Sequence, residues 1–166
     1  MDSWTWGLSL IALTLAVHVT GVTVLVSVLH GFRVRLQSMS LSLPRMFGVL
    51  VAAFTGMGLL LAVLHGIEAV FWAAAYWWLG AVASPAAAIL YSIDSMATRG
   101  GSGLMLRAHW QMMGALEGAD GMLLFGISTA FIFTVMQFYY LHLGLLDRPA
   151  KSAKAGQSPA GRPADA

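Results

Sequence analysis

Long apolar runs separated by short polar ones are the dominant pattern of this chain. Residues 3–31, 46–67 and 121–146 contain no Asp, Glu, Lys or Arg, and each is long enough to cross a hydrocarbon core of roughly 30 Å, which takes about 20 helical residues. A fourth uncharged run, 69–93, is interrupted by Gly80 and by Ser84-Pro85. Its tail, 85–96, is too short to span and predicts a re-entrant helix or an interfacial segment. The expected fold is all-α and integral to a membrane. An N-terminal transmembrane helix over 1–31 is followed by a basic connector over 32–45 and a membrane domain over 46–146. Within that domain an outer helix covers 46–79, a short descending helix 85–96, a loop 97–103 and an inner helix 111–146.

Composition agrees with the pattern, since 58% of the 166 residues are hydrophobic and 10% are charged, against about a quarter charged in soluble domains. The start, MDSWTWG, is acidic and aromatic rather than basic, and its apolar stretch is too long for a secretory signal, so it is kept as a membrane helix. No cysteine is present, which excludes disulfides and thiolate metal sites. The positives fall unevenly: Arg33, Arg35 and Arg45 lie in the connector, and Arg148, Lys151, Lys154 and Arg162 in the tail. With three crossings, seven of the nine lie on one side, which places that side in the cytoplasm and the N-terminus outside. Trp4, Trp6, Trp72, Trp77, Trp78 and Trp110 then all fall near the outer interface, where amphipathic rings prefer to sit. The tail 147–166, rich in Pro, Ala, Gly and Ser, is expected to be a disordered cytoplasmic segment.

Between the apolar stretches lies YSIDSMATRGGSG, residues 91–103, a small and polar loop with Arg99 in its middle. Helix, short descending helix, Gly-rich loop at the outer face and helix is the plan of a pore-loop channel. From His65 to Gln137 the chain resembles the bacterial potassium-channel-like proteins that carry an additional N-terminal membrane helix. The resemblance runs through FWAAAYWWLG and then AAILYSIDSMATRGGSGLMLRAHWQMMGALEGADGMLLFGISTAFIF, about 70 residues, and EGADGMLLFGISTA is its most specific part. The resemblance implies a pore domain over 46–146 and passive ion conduction through a homotetramer in a bacterial inner membrane. Geometry also calls for four copies, because one loop cannot surround an ion.

The filter position departs from that family. Its T-T-x-G-Y-G-D signature falls on Ala97, Thr98, Arg99, Gly100, Gly101, Ser102 and Gly103, of which Thr98 and Gly100 match. In a potassium filter, alternating torsions aim carbonyl oxygens at the ion and an aromatic braces the ring. Gly100 and Gly101 keep the torsional freedom, and the brace is lost. Arg99 stands where the family has an aliphatic side chain pointing toward the pore helix, and Asp94 stands five residues earlier on that helix. A lone arginine in a membrane costs at least about 2.5 kcal/mol and usually takes a carboxylate partner or a wet cavity. Three readings stay open: a strut in which Asp94 neutralises Arg99, a lumen-facing Arg99 ring that favours anions, and a closed loop through which nothing passes.

Other polar residues carry weaker signals. His65 and Glu68 share a helical face, as a polar knot near the outer helix end or as a proton-sensing or gating contact. Glu117 and Asp120 share a face at the start of the last helix, where they either complement its dipole or form an acidic vestibule ring. Gly121, Gly126 and Ser128-Thr129 suit close packing, with Gly126 the candidate gating hinge. His18 and His65 on different helices raise haem ligation, but their expected depths differ. No nucleophile constellation, phosphate loop or carboxylate dyad is present, so no catalytic residue, resident cofactor or metal site is expected, and the ligand would be a permeant monovalent ion. The alternative function is a non-conducting membrane scaffold or subunit of channel ancestry.

Overall fold

The computed structural model describes residues 2–37, 42–100 and 103–142. They form four α-helices and one short 3-10 turn: α1 (Ser3–Gln37), α2 (Leu43–Trp78), α3 (Pro85–Met96), the turn Ala108–Trp110 and α4 (Gln111–His142). Three helical stretches, Ser3–Phe32, Pro44–Trp78 and Ala108–Tyr140, are long and apolar enough to cross a membrane. Their surfaces carry Val19, Val24, Leu59, Val63, Phe125 and Phe133 in the open, which is what helices facing lipid or a second copy expose.

The chain divides into two compact units, residues 1–132 and 133–166. In the second, the described part is helical, and Phe138 and Tyr139 meet edge to face. The first holds the features that follow.

Two boundaries differ from the sequence expectation. α1 runs to Gln37 and α2 begins at Leu43, so Arg33, Arg35 and Arg45 lie on helices rather than in a 14-residue connector. Nothing in VRLQ breaks a helix, and Pro44 sits in the first turn of α2, where its missing N–H costs nothing. The expected tail 147–166, with Gly101 and Ser102 of the loop, lies outside the described residues.

α3 begins with a complete cap. The Ser84 hydroxyl accepts from the Ala87 N–H, and Pro85 opens the helix, together satisfying or removing N–H groups that would otherwise be orphaned. The turn before it is held by Ala81 N–H donating to the Tyr76 carbonyl, and Arg107 N–H donates to Ala81. The ends of α2, α3 and the turn before α4 are thereby tied at one side of the bundle.

From there α3 descends between α2 and α4. Ser92 Oγ stands 2.8 Å from the Ala69 carbonyl of α2, and Ser95 donates to the Gly114 carbonyl of α4 at 3.0 Å. A methyl group built on Gly121 would collide with the backbone of Met96, so only glycine lets the end of α3 rest against α4. Ala69 lies nine residues from the end of α2 and Gly121 ten residues into α4, about 15 Å along each axis at 1.5 Å per residue. The carboxyl end of α3 therefore rests on α4 about three turns from the start of that helix. The core beside it is built from Leu10, Trp72, Ala73, Tyr76, Ala88 and Met113.

Candidate functional site: a buried polar spine and the loop beside it

Each long helix carries polar side chains at helical spacing, and these stripes face one another. α1 presents Thr14 and His18, α2 presents His65, Glu68, Trp72 and Tyr76, and α4 presents Glu117, Asp120 and Ser128. Intervals of three and four, and of eleven between Glu117 and Ser128, keep each set on one face. In an apolar solvent the physics of amphipathicity inverts, because polar groups must turn inward to find partners.

Three layers result. In the layer nearest the α3 cap, Tyr76 Oη donates to Glu117 Oε2 at 2.7 Å, and the Ser92 hydroxyl donates to Glu117 Oε1. One turn deeper, Asp120 Oδ2 accepts from Thr14 Oγ1 at 2.6 Å and from Trp72 Nε1 at 3.0 Å. Deeper again, Glu68 lies between two imidazoles, its Oε1 2.9 Å from His18 Nδ1 and its Oε2 3.2 Å from His65 Nδ1. Behind the rings the Ser128 hydroxyl stands 3.1 Å from His18 Nε2 and 3.2 Å from His65 Nε2. Glu68, Glu117, Asp120 and His18 are fully buried. Every layer ties two or more helices by side-chain bonds, and buried polar groups left unpaired in hydrocarbon would each cost several kcal/mol.

Four sequence expectations change here. Glu117 and Asp120 neither cap α4 nor face a vestibule, because both point into the bundle and are held by donors from α1, α2 and α3. Trp72 is not an interfacial ring, being fully buried with its indole N–H on Asp120. His65 and Glu68 form a polar knot with His18 of α1 and Ser128 of α4, not one confined to the end of their own helix. His18 and His65, expected at different depths, meet with ring centroids 5.1 Å apart. A haem between them has no room, since both rings engage the same hydroxyl. The signal for this assembly was present as polar residues at intervals of three, four and seven within the apolar runs. What sequence alone lacked was the relative register of the helices.

The loop carries the second set of candidates. Ala97 caps α3, its N–H donating to the Ile93 carbonyl, and Thr98 N–H and Arg99 N–H donate to Ser95 and Asp94. Thr98 (φ 54°), Gly100 (φ 56°) and Gly103 (φ 67°) adopt left-handed torsions. For a β-branched threonine this conformation is strained and needs surroundings that enforce it. Arg99 Nε lies 3.5 Å from Asp94 Oδ1, with Arg99 76% exposed and Asp94 7%. An ion pair so open to its surroundings is worth under about 1 kcal/mol in water, so it orients Arg99 more than it stabilises the fold.

A cavity of about 360 Å³ opens beside the end of α3, lined by His65, Gly66, Ala69, Met96, Ala97 and Gly121 among others. It brings the loop after α3 and the deepest polar layer to one space. Gly126 lies on an exposed stretch of α4 with no atom within 4 Å of a built methyl group. Gly126→Ala should therefore leave assembly intact and raise stability by up to about 1 kcal/mol through helix propensity, checked by thermal unfolding in detergent. A gating role would show as altered open time without a loss of stability.

His18, His65 and Glu68 each offer one ligand atom, and these atoms all lie within 4.8 Å of one another, so they are the described residues able to hold a metal. A scan of protein-family models finds no family that matches the chain, and searches of curated proteins and of solved structures find no match.

Proposed function

We propose that this chain is a subunit of a pore-loop membrane channel, in which four copies surround a conduction path lined by the loop after α3. One observation carries this reading. α3 packs beside α2 and α4 and stops about three turns along α4, a helix of 32 residues, and its following loop alternates left-handed Thr98 and Gly100 around Arg99. Loop backbone within the apolar part of a membrane carries polar groups that lipid cannot satisfy, and it is tolerated where it is buried in protein or lines a wet cavity. The interior of a single chain is filled by the polar spine and its apolar neighbours, so the path runs between copies.

The electrostatics favour cations. Each α3 carboxyl end contributes about half a negative charge. With Asp94 set against Arg99, four paired loops add no net charge, and the helix ends decide the sign of the field. An unpaired Arg99 turned to the axis would reverse it. The membrane is a bacterial plasma membrane with the C-terminus cytoplasmic, as the grouping of seven of nine positives on one side supports.

The test is flux in liposomes containing the purified full-length protein under imposed potassium, sodium and chloride gradients, beside Arg99→Val and Asp94→Asn. Cation flux is expected in the native protein. Asp94→Asn, which frees the arginine charge, is expected to cut cation flux by about tenfold, the equivalent of about 1.4 kcal/mol at the axis. Chloride flux in the native protein would assign Arg99 to the lumen. Silence in the native protein and in Arg99→Val, with the fold intact, would remove the pore and leave the non-conducting scaffold.

A further inference from the structure

We infer that His18, His65 and Glu68 form an intramembrane site for a divalent transition-metal ion of the zinc class, bound through both Nδ1 atoms and the Glu68 carboxylate, with Ser128 holding the imidazoles from behind. The site stands independently of whether ions pass through the loop.

Geometry is the first support. Zinc–nitrogen and zinc–oxygen bonds of about 2.0–2.1 Å place neighbouring ligands of a tetrahedron roughly 3.3 Å apart. The two Glu68 oxygens stand 2.9 Å and 3.2 Å from the two Nδ1 atoms, and one donor atom from each residue falls within the same 4.8 Å. Three protein donors leave a fourth position for water or another small ligand.

Hydrogen-bond capacity is the second. If both imidazoles were neutral and donated their Nδ1 protons to Glu68, both Nε2 lone pairs would face Ser128, whose hydroxyl has one proton to give. One of the two nitrogens would be left facing an oxygen lone pair. With a metal at the Nδ1 atoms, both rings carry their proton on Nε2 and donate to the two lone pairs of the same hydroxyl. Metal-bound histidines ordinarily direct the second nitrogen to such a partner. The other end shows the same preference: Glu68 Oε2 is buried and close to His65 Nδ1, yet makes no aligned hydrogen bond. A metal ion needs proximity there and tolerates an angle that a shared proton does not.

Charge and access complete the case. A dication there would be held by the charge of the Glu68 carboxylate, which lies against both rings. His65 is 27% exposed and lines the cavity at the end of α3, which provides the entry path that the fully buried His18 and Glu68 lack.

The test uses the full-length protein in detergent micelles, equilibrated with zinc chloride, freed of loose metal by gel filtration and assayed for metal content and melting temperature. About one zinc per chain is expected, with a melting temperature that falls on chelation. Glu68→Gln keeps the size and hydrogen-bonding reach of the side chain, and His65→Gln changes the one partly exposed ligand; each is expected to lower retained zinc at least tenfold and to abolish the chelator effect. Ser128→Ala should weaken binding by about 10–100-fold, and His109→Gln, on the turn before α4, should not. Cobalt in place of zinc should give visible bands of tetrahedral intensity that disappear in Glu68→Gln. The inference is overturned if folded native protein retains no metal, if the ligand variants retain as much as the native chain, or if chelation leaves the native melting temperature unchanged.

Discussion

Glu117→Ala is expected to lower the stability of the bundle by about 3 kcal/mol, and Glu117→Gln by less than about 1 kcal/mol, in reversible unfolding by denaturing detergent. The difference follows from what Glu117 holds. Its two oxygens accept from Tyr76 of α2 and Ser92 of α3, so it links α2, α3 and α4 at one point. Removal of the side chain leaves the fully buried Tyr76 hydroxyl without its acceptor and opens a void of several methylene volumes. Ser92 suffers less, because it retains the Ala69 carbonyl at 2.8 Å. Buried hydrogen bonds in membrane proteins average only about 0.6 kcal/mol, so most of the expected loss comes from the stranded hydroxyl and the void. Glutamine keeps an acceptor oxygen and the volume. Equal losses for Ala and Gln would show that the charge of Glu117, rather than its shape and acceptors, secures α3.

Gly121→Val is expected to unseat α3 altogether. Even a single methyl group at this position overlaps the Cα, carbonyl carbon and oxygen of Met96, all backbone atoms that cannot rotate away. Overpacking against movable side chains costs about 1–3 kcal/mol, and contact with backbone belongs at or above the top of that range. The helix must then withdraw from α4, breaking the Ser95 bond to Gly114 and displacing the loop that begins at Ala97. Limited proteolysis should cut within residues 97–107 of Gly121→Val while sparing the native chain, and any flux should be lost. Unchanged protection would mean that α3 does not rest on α4 at this glycine. Gly126→Ala, five residues on and in open space, is the matched control.

Ser84-Pro85 and the glycine at 80 are start and turn signals contained in the residues themselves, and they act through local backbone chemistry that needs no partner. The three apolar runs were equally legible, since crossing a membrane depends on length and hydropathy along one helix. Thr98 illustrates the limit. Its neighbours Gly100 and Gly101 announce torsional freedom, yet a left-handed φ of 54° at a threonine arises from the hydrogen bonds that close the end of α3, not from its own preference.

His18, Glu68 and Ser128 are 50 to 110 residues apart in the chain, and each by itself is an isolated polar residue in an apolar run. Nothing along the sequence states how far one helix slides against the next, and a shift of one turn, about 5.4 Å, would set His18 against different partners. Packing supplies that register. Gly121 admits the backbone of Met96, Trp72 and Tyr76 fill the centre, and the acidic groups settle where donors from other helices meet them. The sequence by itself determined three apolar helices, a capped short helix and a polar stripe on each long helix, because these depend on neighbours within a few turns. Only the tertiary structure decided that the stripes close into layers of carboxylates, imidazoles and hydroxyls, because in an apolar medium a polar side chain takes its place from the partners that other helices bring to it.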